Sequence, residues 1–283
     1  MLRRFFTALL LVVALVLPGQ AQSEHRIVSL NGDITEILFA LGLGDQIVAV
    51  DASSNYPEEA NSLPNLGYQR TLSAEAILSY DPTLVIANQD AGPPEVLDQV
   101  RAAGVEVVII EADHTLATPA ANIRRVASLL GVGERGEELA QALEAKIAAA
   151  AEQGAALPKQ LRVMFLYLGS RQAYFAGGLG TPSNAMIVGA GAIDAGAEIG
   201  FRGYMPITPE AMVAAQPDLL IVTDRGLAML GSLDAVLQIP GVAQTPAGQQ
   251  RNIIVFEDLY FIGMGPRTGD ALLELVEALR ELQ

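Results

Sequence analysis

A block of sixteen residues occurs twice in this chain, at 72–87 and at 207–222, and the two copies align without a gap. Each copy begins with a hydroxyl residue at a helix N-cap position, and an acid follows in the first turn, where the helix dipole favours negative charge (Glu75 and Glu210). After two turns of apolar spacing, a proline interrupts the pattern and a short apolar run follows. Each block therefore predicts a helix, a break and a buried strand.

The repeat has two explanations, chance similarity between ordinary αβ units and a chain built from two lobes of one design. Five of the sixteen positions are identical, which leaves chance open. A Gly-Tyr pair, however, precedes both blocks at nearly equal distances, at Tyr68 and at Tyr204. We therefore favour two lobes of one design.

Strands and helices alternate along the rest of the chain, which predicts an α/β fold. Strands are predicted at 26–30, 47–50, 105–110, 161–168 and 253–256, and helices at 34–41, 93–103, 118–130, 134–153 and from about Thr268. The run at 105–110 is of the kind that is buried in parallel sheets. We expect two Rossmann-like lobes with central sheets, joined by a single long helix. The expected bounds are 24–131 for the N-terminal lobe, 133–154 for the linking helix and 159–283 for the C-terminal lobe.

The first 21 residues are typical of a secretory signal peptide. Arg3 and Arg4 form a basic start, 5–17 is apolar apart from one Thr, and small residues follow at the cleavage positions. The apolar run is too short for a membrane anchor, which needs about 20 residues. The chain has no Cys, and hence no disulfide and no site for lipid attachment. We expect a soluble periplasmic monomer without stable membrane insertion.

Composition excludes several classes of function. The formal net charge is −15, and Lys146 and Lys159 are the only lysines, so nucleic-acid binding is not expected. Two histidines, His25 and His114, give little basis for a Ser-His-Asp relay or a His-rich zinc site. The glycine run at 177–180 lacks dinucleotide spacing, and no phosphate-binding loop occurs. We expect a binding protein rather than an enzyme.

Tyr68 stands in a loop just before the first block, on the side of the lobe where α/β sheets bind ligands. Holding a phenol as phenolate at pH 7 costs about 3 pH units, or roughly 4 kcal/mol, which a ferric ion and a nearby Arg could supply. Arg225, at the end of the second block's strand, is the candidate Arg. The alternatives are that Tyr68 packs its ring on the lobe surface and that Arg225 pairs with Asp224.

Six segments together resemble the periplasmic haem-binding proteins of bacterial haem ABC importers, over essentially the whole chain after residue 21. They are RIVSLNGDITEIL from Arg26, LGYQRTLSAE from Leu66, AGPPEVL from Ala91, GFRGYMP from Gly200, TDRGL from Thr223 and GPRT from Gly265. The first segment and the Ser-Ala-Glu block indicate only the wider cobalamin and siderophore class of binding proteins. The Gly-Tyr-x-Arg and Thr-x-Arg-Gly-Leu segments point to haem.

The resemblance implies a class III periplasmic binding protein that carries haem as its transported ligand in the cleft between the lobes. Tyr68 corresponds to the axial ligand of the haem iron and Arg225 to an Arg beside the haem. We expect Arg70 and Tyr204 to line the rim. The family often has Met at the position of Gln69 and Lys at that of Met205, so fewer cations are left for the haem propionates.

In the wider class, Glu75 and Glu210 correspond to acids, one in each lobe, that dock onto the permease of an ABC importer with its ATPase. The alternative for each is an ordinary helix-start acid. Three rival functions remain. They are cobalamin or ferric-siderophore binding by the same fold, a secreted enzyme with two converging carboxylates, and a scaffold or adhesion protein.

Overall fold

The computed structural model describes residues 25–111, 113–168 and 174–283, so the predicted signal peptide at 1–21 lies outside the described residues. The N-terminal half contains a four-stranded parallel sheet with the order β2-β1-β3-β4. Its strands are β1 (Ile27–Leu30), β2 (Ile47–Val50), β3 (Leu84–Asn88) and β4 (Glu106–Ile110). Its helices are α1 (Gly32–Ala40), α2 (Ala74–Leu78), α3 (Pro94–Ala102) and α4 (Thr118–Leu129).

A long helix, α5 (Gly133–Ala155), follows, and the second half then forms a mixed sheet with the order β10-β9-β5-β6-β8. Its strands are β5 (Arg162–Leu168), β6 (Tyr174–Ala176), β7 (Ile193–Asp194), β8 (Met205–Pro206), β9 (Leu219–Thr223) and β10 (Ile253–Phe256). The short β7 pairs with β5 off this path. Strands β5, β9 and β10 run parallel, whereas β6 is antiparallel to both β5 and β8.

Eight helices of the described residues lie in this second half. They are α6 (Pro182–Gly189), α7 (Ala195–Glu198), α8 (Pro209–Ala215), α9 (Asp224–Leu230), α10 (Leu233–Leu237), α11 (Pro246–Gln250), α12 (Asp258–Ile262) and α13 (Thr268–Glu281). Within the described parts of the chain, no helix combines the length and the apolar character needed to cross a membrane.

The repeated block forms the same unit in both halves, as predicted. In the first copy Ser73 Oγ accepts a hydrogen bond from Ala76 N at 3.4 Å and caps α2, and in the second Thr208 caps α8 through its own hydroxyl. The strands that follow, β3 and β9, each lie between two parallel neighbours. Each half therefore contains one helix and one internal strand that are equivalent to those of the other half.

Strand β4 differs from its prediction. The apolar run at 105–110 predicted a strand buried on both faces, but β4 lies at the edge of the sheet, and Glu106 is exposed and Val107 half-buried. An edge strand has a neighbour on one side only, so its apolar residues are less covered than those of β3. The apolar pattern predicted the strand correctly, but it did not predict that the strand lies at the edge of the sheet.

Helix α5 contributes to the hydrophobic cores of both halves. Ala140 and Leu143 belong to the core cluster of the first sheet, Ala150 belongs to that of the second, and Ile147 packs against both. The division into lobes at 24–131 and 159–283 remains our interpretation of this arrangement. A helix packed continuously into two cores cannot bend without opening one of them, which favours a fixed relation between the sheets.

Arg267, at the start of α13, links the second half to the first. Its Nε and Nη2 donate to Glu36 Oε1 and Oε2 in α1 at 3.0 and 3.1 Å, and its backbone N donates to Oε1 at 3.1 Å. Its guanidinium carbon lies 3.5 Å from the ring centroid of Tyr56. Glu257, 3.5 Å from Arg267 Nη2, also accepts from Asn55 Nδ2 at 3.2 Å. Arg267 therefore lies at the centre of a cluster of polar contacts between the halves.

The carboxylate of Glu36 depends on Arg267 because it is nearly inaccessible, with 3% of the residue exposed. Burial raises the pKa of Glu36 above its usual value, although the bonds from Arg267 oppose this shift. Removing Arg267 would leave a desolvated acid without its cation.

We predict that Arg267→Ala lowers the free energy of unfolding by about 3 kcal/mol, because a buried pair that loses one partner leaves an uncompensated charge. The double variant Glu36→Leu/Arg267→Met should lose less, because no charge remains buried. Urea unfolding of the single and double variants measures the coupling. Arg280→Ala, which removes an exposed pair with Glu277, is the control and should cost at most about 1 kcal/mol. Equal losses at Arg267 and Arg280 would contradict this role.

Candidate functional site

Tyr68 is presented by a loop that is fixed at the carboxyl end of the first sheet. Leu66 N donates to Val50 O at 2.8 Å, and Ala52 N donates to Gly67 O at 2.8 Å, so the loop continues from the end of β2. Gly67 has a φ of +84°, a conformation that side chains disfavour, and it turns the chain before Tyr68. Tyr68 itself is 52% exposed. Its ring is therefore available to a ligand and is not a buried packing group.

Polar side chains form a network beneath this loop. Asn31 Nδ2 donates to Asp33 Oδ1 at 2.5 Å, and Gln69 Nε2 approaches Asn31 Oδ1 at 3.5 Å. Burial raises the pKa of Asp33 to about 7, the Asn31 bond opposes the shift, and the nearby charge of Asp51 adds to it. Gln69 Oε1 is buried and has no hydrogen-bond partner. The position next to Tyr68 is thus held by a buried polar network, which the sequence did not indicate.

Arg70 points to a different neighbour. Its Nη2 lies 2.9 Å from Asp90 Oδ2, and both side chains are about half exposed, at 55% and 47%. Exposed ion pairs of this kind contribute at most about 1 kcal/mol. Arg70 is therefore held only loosely, beside the Tyr68 loop.

Arg225 lies in the first turn of α9, which begins directly at the end of β9. The expected alternative partner, Asp224, accepts a hydrogen bond from the backbone N of Arg225 at 2.7 Å. The guanidinium instead pairs with Asp258, with Nε 3.4 Å from Oδ2, and its side chain is 64% exposed. Burial raises the pKa of Asp258, and its Oδ1 is buried without a hydrogen-bond partner.

The ring of Tyr204 is accessible, whereas its hydroxyl is buried. The residue is 38% exposed, and its ring centroid lies 6.1 Å from that of Phe165 and 5.9 Å from that of Tyr167. Burial raises the pKa of Tyr204 to about 12, although a hydrogen bond with Ser183 opposes this. The hydroxyl therefore stays neutral at ordinary pH, and contact with a ligand would be made by the ring.

The carboxyl ends of the two sheets face each other. Besides the Asn55–Glu257 hydrogen bond, the side chain of Leu259 lies against Gly32, where an added Cβ would be 2.7 Å from Leu259 Cδ1. These contacts join the loops that follow β1 and β2 to the segment after β10. The loop with Tyr68 and the start of α9 with Arg225 therefore lie at the carboxyl ends of the two sheets, which meet at a cleft. Such a cleft is the usual ligand position in α/β proteins.

A small pocket also lies at this junction, with a volume of about 240 Å³. It is lined by Asn55, Tyr56, Glu257, Tyr260 and Arg267. It is smaller than most ligand pockets, which span about 300–1,000 Å³. Over the described residues, no group of three or more His, Cys, Asp or Glu side chains could hold a metal ion.

The two permease-docking candidates occupy equivalent helix starts. Glu75 and Glu210 occupy the first turns of α2 and α8, and both are exposed. They belong to equivalent elements of the two halves, so the structure keeps the symmetry that the repeat predicted.

The family profile described as "Periplasmic binding protein" matches residues 27–259. The chain belongs to this family. The solved structure of periplasmic heme-binding protein RhuT from Roseiflexus sp. RS-1, in apo form, is 52% identical with a TM-score of 0.88, over 91% of this chain and 98% of that one. Periplasmic heme-binding protein BhuT in complex with two hemes is 36% identical with a TM-score of 0.86, over 91% and 98%.

The periplasmic heme-binding protein HutB of Vibrio cholerae is 33% identical with a TM-score of 0.82, over 91% of this chain and 99% of that one. These likenesses confirm the predicted class III α/β fold. The "Vitamin B12-binding protein" of Yersinia pestis (strain Pestoides F) is 38% identical over 107 residues, which is 38% of each chain. The match to this curated relative thus spans well under half of its length.

Proposed function

We propose that this protein binds haem in the cleft between its lobes and delivers it to an ABC importer. The observation that carries the proposal is the exposed phenol of Tyr68 on a fixed loop at the cleft. The chain around it is 52% identical to a periplasmic heme-binding protein over 91% of its length. Haem is the transported ligand, and no chemical step is part of the function.

Tyr68 would bind ferric iron through its phenolate. A phenol has a reference pKa of about 10, and the roughly 4 kcal/mol needed to ionise it at pH 7 would come from the metal charge and a nearby cation. Arg225 would supply that cation, and its guanidinium is free to turn towards a ligand because its side chain is largely exposed and its pairing with Asp258 is long, at 3.4 Å. It could also meet a haem propionate. Arg70 would line the rim, and Tyr204 would contribute its ring.

We predict that Tyr68→Phe keeps the ring but loses the phenolate-to-iron absorption band, and that it weakens ferric haem binding at least tenfold with little change in stability. Visible spectra recorded during a haem titration measure both effects.

In the same titration, Arg225→Ala should form the complex only at higher pH, because a cation favours the ionised phenol. Tyr80→Phe is the control, because Tyr80 lies at the amino end of the same sheet, where its carbonyl accepts from Arg26.

An unchanged spectrum in Tyr68→Phe would remove Tyr68 from the iron site. Cobalamin is the second candidate ligand, because vitamin B12-binding proteins match part of the chain. Adding cobalamin in place of haem distinguishes the two. Saturable cobalamin binding without haem binding would favour the rival.

We also propose that residues 1–21 are a signal peptide and that the exported protein is a periplasmic monomer. The support is the basic and apolar N-terminal sequence together with membership in a family of periplasmic binding proteins. N-terminal sequencing of the exported protein should begin near Gln22. A product that retains Met1 would contradict the assignment.

Glu75 and Glu210 are the proposed docking acids for the permease. They are exposed, they occupy equivalent helix starts in the two halves, and a permease with two-fold symmetry would meet them as a matched pair. Complementary charges at such a surface mainly control encounter and orientation.

We predict that Glu75→Arg with Glu210→Arg leaves haem affinity unchanged and abolishes stimulation of the transporter's ATP hydrolysis in a reconstituted system. Each single reversal should have a smaller effect, and added salt should weaken the wild-type stimulation. The matched control is Glu95→Arg with Glu134→Arg, which reverses two exposed first-turn acids outside the repeat. Loss of haem binding in the first double variant, or equal loss of stimulation in both, would refute docking at this pair.

A further inference from the structure

Six aromatic rings form a continuous ladder through the second half of the protein, beginning with Tyr260, whose ring centroid lies 6.2 Å from that of Phe256. Phe256 and Phe261 stack with ring centroids 4.6 Å apart, and Phe261 and Phe165 stack at 5.9 Å. Phe165 then contacts Tyr204 at 6.1 Å, and Tyr204 contacts Tyr167 at 5.9 Å. These distances lie in the range of favourable aromatic pairs. The ladder therefore runs from Tyr260, which lines the pocket at the junction of the halves, through the three Phe rings to Tyr204 and Tyr167.

Burial changes abruptly along this ladder. The three Phe residues are at most 2% exposed, whereas Tyr204 is 38% and Tyr167 43% exposed. Tyr167 is the one exposed residue of β5, an internal strand whose other residues from Val163 to Leu168 are buried. Core packing explains the three Phe residues, but it does not explain two large exposed rings side by side.

The exposed end of the ladder lies at the edge of the sheet that meets the first half. Tyr167 is next to the carboxyl end of β5, whose parallel neighbour β9 leads directly into Arg225. The next strand, β10, leads into Glu257 and Asp258, and Glu257 contacts Asn55 of the first half. Tyr167 and Tyr204 therefore belong to the wall of the cleft contributed by the second half.

We propose that Tyr167 and Tyr204 form an aromatic platform that packs against the face of a tetrapyrrole ring, and that Tyr167 contributes to affinity through ring contact alone. This inference rests on the proposed haem function. A flat apolar macrocycle with peripheral carboxylates fits this wall, because Arg225 lies on the same sheet edge. In this proposal the platform supplies ring contact, and the iron ligand remains Tyr68.

The ladder also makes the platform stiff. Tyr204 contacts the fully buried ring of Phe165, and Tyr167 in turn contacts Tyr204. Side chains fixed before binding lose little conformational entropy when a ligand arrives, so more of the contact energy appears as affinity.

Two ligands test the platform separately from the iron site, namely ferric haem and metal-free protoporphyrin IX, which has the same ring but no iron. Tyr167→Ala should weaken both about tenfold, equivalent to about 1.4 kcal/mol and within the range for aromatic contacts. Tyr68→Phe should weaken haem and leave protoporphyrin unchanged. Tyr167→Phe should bind both within about twofold of the wild type. Fluorescence quenching and visible titration measure the dissociation constants.

Tyr167→Leu, which keeps apolar volume but removes the flat ring, should behave like Tyr167→Ala and guards against a folding defect. Val188→Ala, at a site 57% exposed on α6, is the control and should change neither affinity. If haem binds with a Tyr68-dependent spectrum but Tyr167→Ala and Tyr167→Leu leave both affinities unchanged, the platform is wrong and the haem function stands. If the wild type binds neither ligand, the haem function fails and the platform with it.

Discussion

The contact between Arg267 and Glu36 is the interaction on which the geometry of the cleft depends. Its three hydrogen bonds connect the start of α13 to α1, and the Arg267 guanidinium also covers the ring of Tyr56. Taking a carboxylate out of water is costly, and only a well-placed cation compensates for it. Because Glu36 sits in the helix that follows β1, the pair fixes the loops at the end of the first sheet relative to those at the end of the second. Tyr68 lies on one of those loops, and Arg225 directly follows the end of β9.

The cleft divides its tasks between the two sheet edges. The first edge presents the exposed phenol of Tyr68 beside polar groups that include Asn31 and the buried Asp33. The second edge presents the exposed cation of Arg225 and the rings of Tyr167 and Tyr204. A ligand with a metal centre, a flat apolar body and acidic edges would meet a different part of the wall with each of these features. Such a division lets affinity rest on several modest contacts and not on one strong bond.

Much of the fold could be predicted from the sequence because the determining signals are local. The repeat gave α2 with β3 and α8 with β9, and the apolar runs gave the parallel strands. Position within a sheet depends on partners far away in the chain, so β4 was expected to be buried and is an edge strand. The antiparallel strands β6 and β8 are three and two residues long, too short for a periodic pattern to appear.

The sequence could single out Tyr68 and Arg225 as candidates because each residue type carries its own chemistry. Pairing was not predictable. Arg225 pairs with Asp258 from another strand's end, and not with its sequence neighbour Asp224. The buried oxygen of Tyr204 and the exposure of Tyr167 also follow from tertiary packing, which no spacing in the sequence encodes. In the sequence, Tyr167 lies between two leucines of a strand and therefore looks like another core residue.

Helix α5 has a consequence for how the molecule is put together as a folding unit. Ala140 and Leu143 complete one core, Ala150 completes the other, and Ile147 packs against both. The core of each half therefore includes residues of α5. Cleavage of the chain within this helix would expose both cores to solvent. Unfolding of one half would therefore remove part of the core of the other. The two sheets, though separate in hydrogen bonding, should share one cooperative transition, as a much smaller single-core protein does.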